Sequence, residues 1–217
     1  MKLILYSGGS DEENSELDKR LKLLLPKNPL VTYIPASSFE SEIYFRQYVD
    51  RFKRYGIKKF LHFPVDIPTD PVLEEEVWKS DLIHLDGGNT YYFLASLRKK
   101  KLLGKLREFV QRGGVLSGES AGSILQTPNI SMAGIPKFDC DDNDVRLKNL
   151  TSLSLVPFEF APHFINSKRY HTAYKSYTKK TARRLYACRD GAGIIVEGEN
   201  ISFIGDVFCF FKGKKLP

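Results

Sequence analysis

A chain of 217 residues, 42% hydrophobic and 27% charged, has the composition of a globular protein and excludes a disordered or fibrous one. No run approaches the ~20 apolar residues of a membrane helix, and the three cysteines, Cys140, Cys188 and Cys209, lack the spacing of a zinc site or a disulfide framework. The net charge of +7 equals the contribution of one tract, Lys168, Arg169, Lys175, Lys179, Lys180, Arg183 and Arg184, which holds no acid.

The elements follow in chain order. Leu3–Tyr6 is too short an apolar run for a signal peptide and reads as a first buried strand, which predicts a cytoplasmic location and no membrane contact. A helix over Glu16–Leu25 follows, then a strand at Leu30–Ile34. Ser41–Tyr55 is helical, with Tyr44, Tyr48 and Phe52 at a spacing of four. A strand at Lys59–Phe63, a helix near Val72–Lys79 and a strand at Leu82–Leu85 come next. A helical pair, Tyr91–Lys100 and Leu103–Arg112, leads to a strand at Val115–Ser117. Such alternation predicts βαβ units and a mainly parallel sheet covered by helices on both faces. After residue 150 the pattern changes. Tyr170, Tyr174 and Tyr177 recur at helical spacing and would pack the basic segment onto a sheet, its charges forming a solvated face. The rival reading is a patch for nucleic acid. Gly193–Glu197, Ile201–Gly205 and Val207–Lys212 are short runs broken by turn residues, so antiparallel strands end the sheet. Residues 1–217 read as one α/β domain.

Gly118-Glu119-Ser120-Ala121-Gly122 follows the strand and opens a helix. Strand, G-x-S-x-G, helix is the setting of a nucleophile elbow, whose sharp turn exposes a serine and needs small neighbours. Asp86-Gly87-Gly88-Asn89-Thr90 ends the preceding strand. Adjacent parallel strands share a carboxyl edge, so this turn and the elbow open into one crevice. The backbone N–H groups of Gly88 and Ala121 would then form an oxyanion hole, with Asn89 a candidate substrate contact. Glu119 either attracts a substrate ammonium group or faces solvent.

A serine nucleophile needs a base. His62 and His84 lie within strands and read as satisfied core residues, and His171 lies on the exposed basic helix. His163, in Pro162-His163-Phe164 at a strand end, is the candidate base. Glu197, closing Ile194-Ile195-Val196, is the candidate acid. Asp139, in an acidic loop with Asp141, Asp142 and Asp144, competes with it. That loop lacks the glycine and closing glutamate of a calcium loop and predicts no metal.

Together, Gly87-Gly88-Asn89-Thr90, the Gly118–Gly122 elbow, Pro162-His163-Phe164 and Glu197-Gly198 resemble the peptidase E, or aspartyl dipeptidase, family of serine peptidases, relatives of cyanophycinase. The resemblance implies a three-layer α/β/α fold like that of class I glutamine amidotransferases. It implies Ser120 as nucleophile, His163 as base, and the chain order serine, histidine, acid. It also implies a small-peptide substrate, an acyl-enzyme and no cofactor. The family's loop aspartate falls at Ile135 here, which favours Glu197 as the acid. Its substrate-binding arginine falls after His163, where Arg169 and Lys175 are both candidates, and with it a preference for N-terminal aspartate. The alternatives are another serine amide or ester hydrolase, cyanophycinase-like, and a non-catalytic module that binds through the basic helix. Oligomeric state is not legible.

Overall fold

The computed structural model describes residues 1–217. Five parallel strands, β1 (Lys2–Tyr6), β2 (Leu30–Ile34), β3 (Lys59–His62), β4 (Leu82–Leu85) and β5 (Val115–Glu119), build most of the main sheet. Their helices are α1 (Ser15–Leu23), α2 (Ser41–Lys53), α3 (Pro71–Val77), α4 (Thr90–Lys99) and α5 (Leu102–Gln111), with a single turn, α6 (Ala121–Ile124), after β5. The later elements are β6 (Glu159–Ala161), α7 (Lys168–Thr178), β7 (Leu185–Cys188), β8 (Gly193–Glu197), β9 (Asn200–Ile204), β10 (Val207–Phe211) and β11 (Lys214–Lys215). The main sheet has seven strands in the order β3-β2-β4-β5-β1-β8-β9, and β8 and β9 run antiparallel. The α/β class, the mainly parallel sheet and its antiparallel C-terminal strands match the expectation.

Side chains alternate across a strand, so each strand feeds two cores. Ile4, Tyr6, Val31 and Tyr33 pack on Leu17 and Leu21 of α1 and on Tyr48 and Phe52 of α2. Leu3, Leu5, Ile83, Leu85 and Leu116 face the other way, onto Phe93 and Leu97 of α4 and Leu106 and Phe109 of α5. These two faces give the three layers. Beneath the first lies a buried ion pair. Arg51 of α2 donates from Nε (2.8 Å) and Nη2 (2.7 Å) to the two oxygens of Asp18 of α1. Its bidentate geometry ties both helices below the carboxyl edge of the sheet.

The C-terminal third departs from expectation. Val207–Lys212 does not extend the main sheet. As β10 it pairs with β7, in a second, four-stranded sheet ordered β11-β10-β7-β6. The Gly205-Asp206 turn makes the switch; Gly205 has φ +72°, and a Cβ there would lie 2.9 Å from Ala192 Cβ. Strand β6 was legible only as the run before His163 and β7 was not read; both pair within this second sheet alone. Tyr170 and Tyr174 do turn inward from α7, onto Phe164 and Phe210, while Lys168, Arg169 and Lys175 are exposed. Cys209 lies on β10 and is only half-buried. His84 is a satisfied core residue, its Nδ1 2.8 Å from Ser117 Oγ. His62 is not, because its buried Nε2 has no hydrogen-bond partner. No helix is long and apolar enough to cross a membrane.

Candidate active site

The site is assembled at the carboxyl edge of the sheet from loops far apart in sequence. Ser120 follows β5 directly and holds φ 50°, ψ −107°, a region a non-glycine residue occupies only when its surroundings enforce it. The two elbow glycines show what enforces it. A Cβ on Gly122 would overlap the Leu85 carbonyl, and one on Gly118 would overlap the Gly122 carbonyl. Strand β4 therefore touches the backbone of α6 directly. Gly122→Ala is expected to lower stability by roughly 2–3 kcal/mol, an overpacking cost against rigid backbone. A thermal melt unchanged from wild type would contradict this packing.

His163 follows β6 and also has a left-handed backbone, φ 54°. Its Nε2 lies 2.8 Å from Ser120 Oγ, and its Nδ1 lies 2.8 Å from Asp190 Oδ1. A neutral imidazole that donates from Nδ1 to the carboxylate leaves Nε2 free to accept the serine proton. The arrangement can thus polarise the hydroxyl and stabilise the imidazolium that forms.

Glu197 is not the carboxylate at the histidine. Strand β8 runs antiparallel to β1, with Gly193 opposite Tyr6 and Glu197 opposite Lys2. Its last residue therefore lies at the far edge of the sheet, where Glu197 Oε1 is 3.9 Å from Arg20 Nη2. Its beginning, and the loop before it, lie beside Tyr6 and Ser120. Asp190 occupies that loop. Asp139, the competing acid, instead accepts from the Tyr170 hydroxyl.

Ser7 went unremarked in the sequence and sits at the junction of all three loops. It is fully buried. Its Oγ accepts from the His163 backbone N–H (2.8 Å), donates to the Cys188 carbonyl (2.9 Å) and lies 3.4 Å from Asp190 Oδ1. Next to it, a Cβ on Gly8 would come within 2.5 Å of His163 Cε1 and 3.0 Å of Asp190 Oδ1. The signal available was the Ser-Gly-Gly turn ending β1, of the same kind as the Gly-Gly turn ending β4. Ser7→Ala leaves the partly buried His163 N–H without its acceptor and loosens the imidazole. We expect kcat to fall about 10-fold or more with little change in KM. A wild-type kcat would remove Ser7 from this role.

Two clefts flank Ser120. One, of about 210 Å³, is lined by Ser120, His163, Ile124, Ile135, Asp139 and Tyr170 among others. The other, of about 420 Å³, is lined by Asp86, Gly87, Gly88, Asn89, Glu119 and Tyr44 among others. Gly87 packs against the nucleophile, since a Cβ there would sit 3.7 Å from Ser120 Cβ. Gly88 has φ +130°. Asn89 is the N-cap of α4: its Oδ1 accepts from Tyr92 N (2.9 Å) and its Nδ2 donates to the Asp142 carbonyl (2.8 Å). Both ends of its amide are thus engaged in holding loops. Asp141 accepts from Thr90 N at 2.7 Å, so part of the acidic loop is pinned to the same helix start. Arg169 is stacked over Phe138, 3.8 Å from the ring centroid, and lines neither cleft; nor does Lys175. Glu119 meets Arg51 Nη1 at 3.4 Å. Burial pushes its carboxyl up, Arg51 opposes this, and Asp86 adds to it.

A protein-family model described as peptidase family S51 matches residues 3–204. The chain belongs to peptidase family S51. It is 30% identical over 175 residues to an uncharacterized peptidase of Listeria monocytogenes, covering 79% of this chain and 83% of that one. It is 29% identical over 158 residues to peptidase E of Pasteurella multocida, covering 65% and 62%. The crystal structure of a peptidase from an acI-B1 actinobacterium superposes with a TM-score of 0.71 at 18% identity, covering 99% of this chain and 96% of that one. Membership makes this chain a serine peptidase, with peptides as its substrates.

Proposed function

We propose that this S51 chain is a small-peptide hydrolase, a dipeptidase, working through a Ser120-His163-Asp190 triad. The observation that carries the reading is the unbroken chain of two 2.8 Å contacts from Ser120 Oγ through the imidazole to Asp190. Ser120 Oγ attacks the peptide carbonyl and gives its proton to His163 Nε2. The carbonyl oxygen becomes an oxyanion, which the N–H groups of Gly88 and Ala121 are positioned in sequence to receive. Collapse breaks the C–N bond, and His163 passes the proton to the leaving amine. Water then attacks the acyl-enzyme with His163 again as base, releasing the acid and restoring the serine. Asp190 keeps the imidazole in the required tautomer.

The resemblance implied a preference for N-terminal aspartate. An aspartate carboxylate in the site needs a facing cation, and no Lys or Arg lines either cleft. We therefore propose small unblocked peptides as the substrate class, without that preference. A fluorophosphonate probe tests the nucleophile: one equivalent is expected on Ser120, mapped by mass spectrometry. Absence of labelling, or labelling elsewhere, refutes the assignment and favours a binding module.

A further inference from the structure

The proton delivered to the leaving amine decides which half of the substrate occupies which cleft. His163 lines the cleft of Ile124, Ile135 and Tyr170, and not the cleft of Gly87 and Gly88. Ser120 lines that first cleft too, and Gly87 of the second packs against it; an amine leaving through the first cleft meets the proton donor, which leaves the second for the acyl half. That acyl cleft carries paired carboxylates. Leu85 of β4 pairs with Gly118 of β5, so Asp86 and Glu119 are the next residues on neighbouring strands, directly before the Gly-Gly turn and the nucleophile. A third carboxylate stands close by. Asp66 accepts from the hydroxyl of Tyr92, a residue of the cleft wall, at 3.2 Å.

The neighbouring cations are already matched. Arg51 reaches Glu119 with one nitrogen, but its guanidinium is held by both oxygens of the fully buried Asp18. Arg54 is paired with Asp11. Asp86 accepts from the Tyr33 hydroxyl and the Gly87 backbone N–H, both neutral donors, and its Oδ1 lies 4.0 Å from His84 Nε2. Burial raises the carboxyls of both Asp86 and Glu119, and Arg51 opposes the rise at each. A positive group entering the cleft would oppose it as well.

We propose that this cleft is a subsite for the α-ammonium of the substrate's first residue, held by Asp86 and Glu119, and that it selects against an acidic first side chain. An ammonium here would place the first carbonyl at Ser120, one residue from the new chain end, so hydrolysis would release single N-terminal residues. An aspartate side chain would instead add another carboxylate to the cluster. The proposal rests on the Ser120 peptidase reading above, and the test separates the two.

Ala-p-nitroanilide, N-acetyl-Ala-p-nitroanilide and Asp-p-nitroanilide would be compared with wild-type enzyme whose Ser120 has been titrated with a fluorophosphonate. We expect kcat/KM for the free alanine substrate to exceed that for its acetylated form by about 100-fold, and to exceed that for Asp-p-nitroanilide by about 10-fold, the scale of a charge-assisted hydrogen bond lost or opposed. Glu119→Gln and, separately, Asp86→Asn should each shrink the free-to-acetylated ratio by about 10-fold, chiefly through KM. Equal cleavage of free and acetylated substrates by enzyme that labels at Ser120 overturns the subsite and leaves the nucleophile standing. So does an Asp substrate cleaved faster than the Ala one. Failure of wild-type enzyme to label at Ser120 removes both readings.

Discussion

Ser120→Ala is expected to lower kcat/KM for small peptides by about 10⁴-fold or more, with the fold retained. The size follows from what is removed. Without Oγ there is no covalent step, and His163 Nε2 loses the group 2.8 Å away that it activates. A small residual rate from the oxyanion donors acting on bound substrate is consistent with this. Alanine occupies the same backbone conformation, φ 50°, at a cost no greater than serine. The thermal transition should therefore stay within a few degrees of wild type, and the comparison reports chemistry. The measurement is steady-state hydrolysis by purified variant beside circular-dichroism melts. A variant that keeps even a tenth of wild-type activity would end the serine mechanism.

Asp190→Asn is expected to lower kcat by about 10³–10⁴-fold, whereas Glu197→Gln leaves it within about 2-fold of wild type. Asparagine preserves shape but offers an amide N–H where Asp190 offers an acceptor. Imidazole Nδ1, now facing a donor, is pushed towards the tautomer that protonates Nε2, the wrong one for accepting the Ser120 proton. The imidazolium formed on attack also loses its counter-charge. Glu197 forms an ion pair with Arg20 at 3.9 Å, with both partners substantially exposed, and exposed pairs contribute little. The two variants assayed side by side decide the third member of the triad. If Glu197→Gln proved crippling and Asp190→Asn mild, the geometry at His163 would not be the working one.

Most strands of the main sheet and the helices between them were legible, because each announces itself locally. Apolar runs such as Leu30–Ile34 and Leu82–Leu85 match the observed strands end to end. The spacing of Tyr48 and Phe52 marks the buried face of α2. The elbow was legible for a related reason: the glycines at 118 and 122 exist to clear backbone at a contact that any G-x-S-x-G turn must make. The second sheet was not. Its strands are short, its partners are distant, and the residues that assign β10 to β7 lie in a turn at Gly205-Asp206 that reads like any other hairpin.

The triad acid shows where the boundary lies. Sequence alone fixed the chemical vocabulary, a serine on a tight turn and a histidine at a strand end, because those roles demand a local backbone that leaves a local signature. It also carried the expectation that the last strands run antiparallel, and this by itself argues against Glu197. A strand that runs against β1 brings its first residue, not its last, to the carboxyl edge. Which loop residue then reaches the imidazole depends on the pairing of Gly193 with Tyr6 and on Ser7 joining three segments. A carboxylate acts on an imidazole through a contact a few ångströms long, and contacts at that range between residues 7, 163 and 190 are set by sheet register, which tertiary packing alone decides.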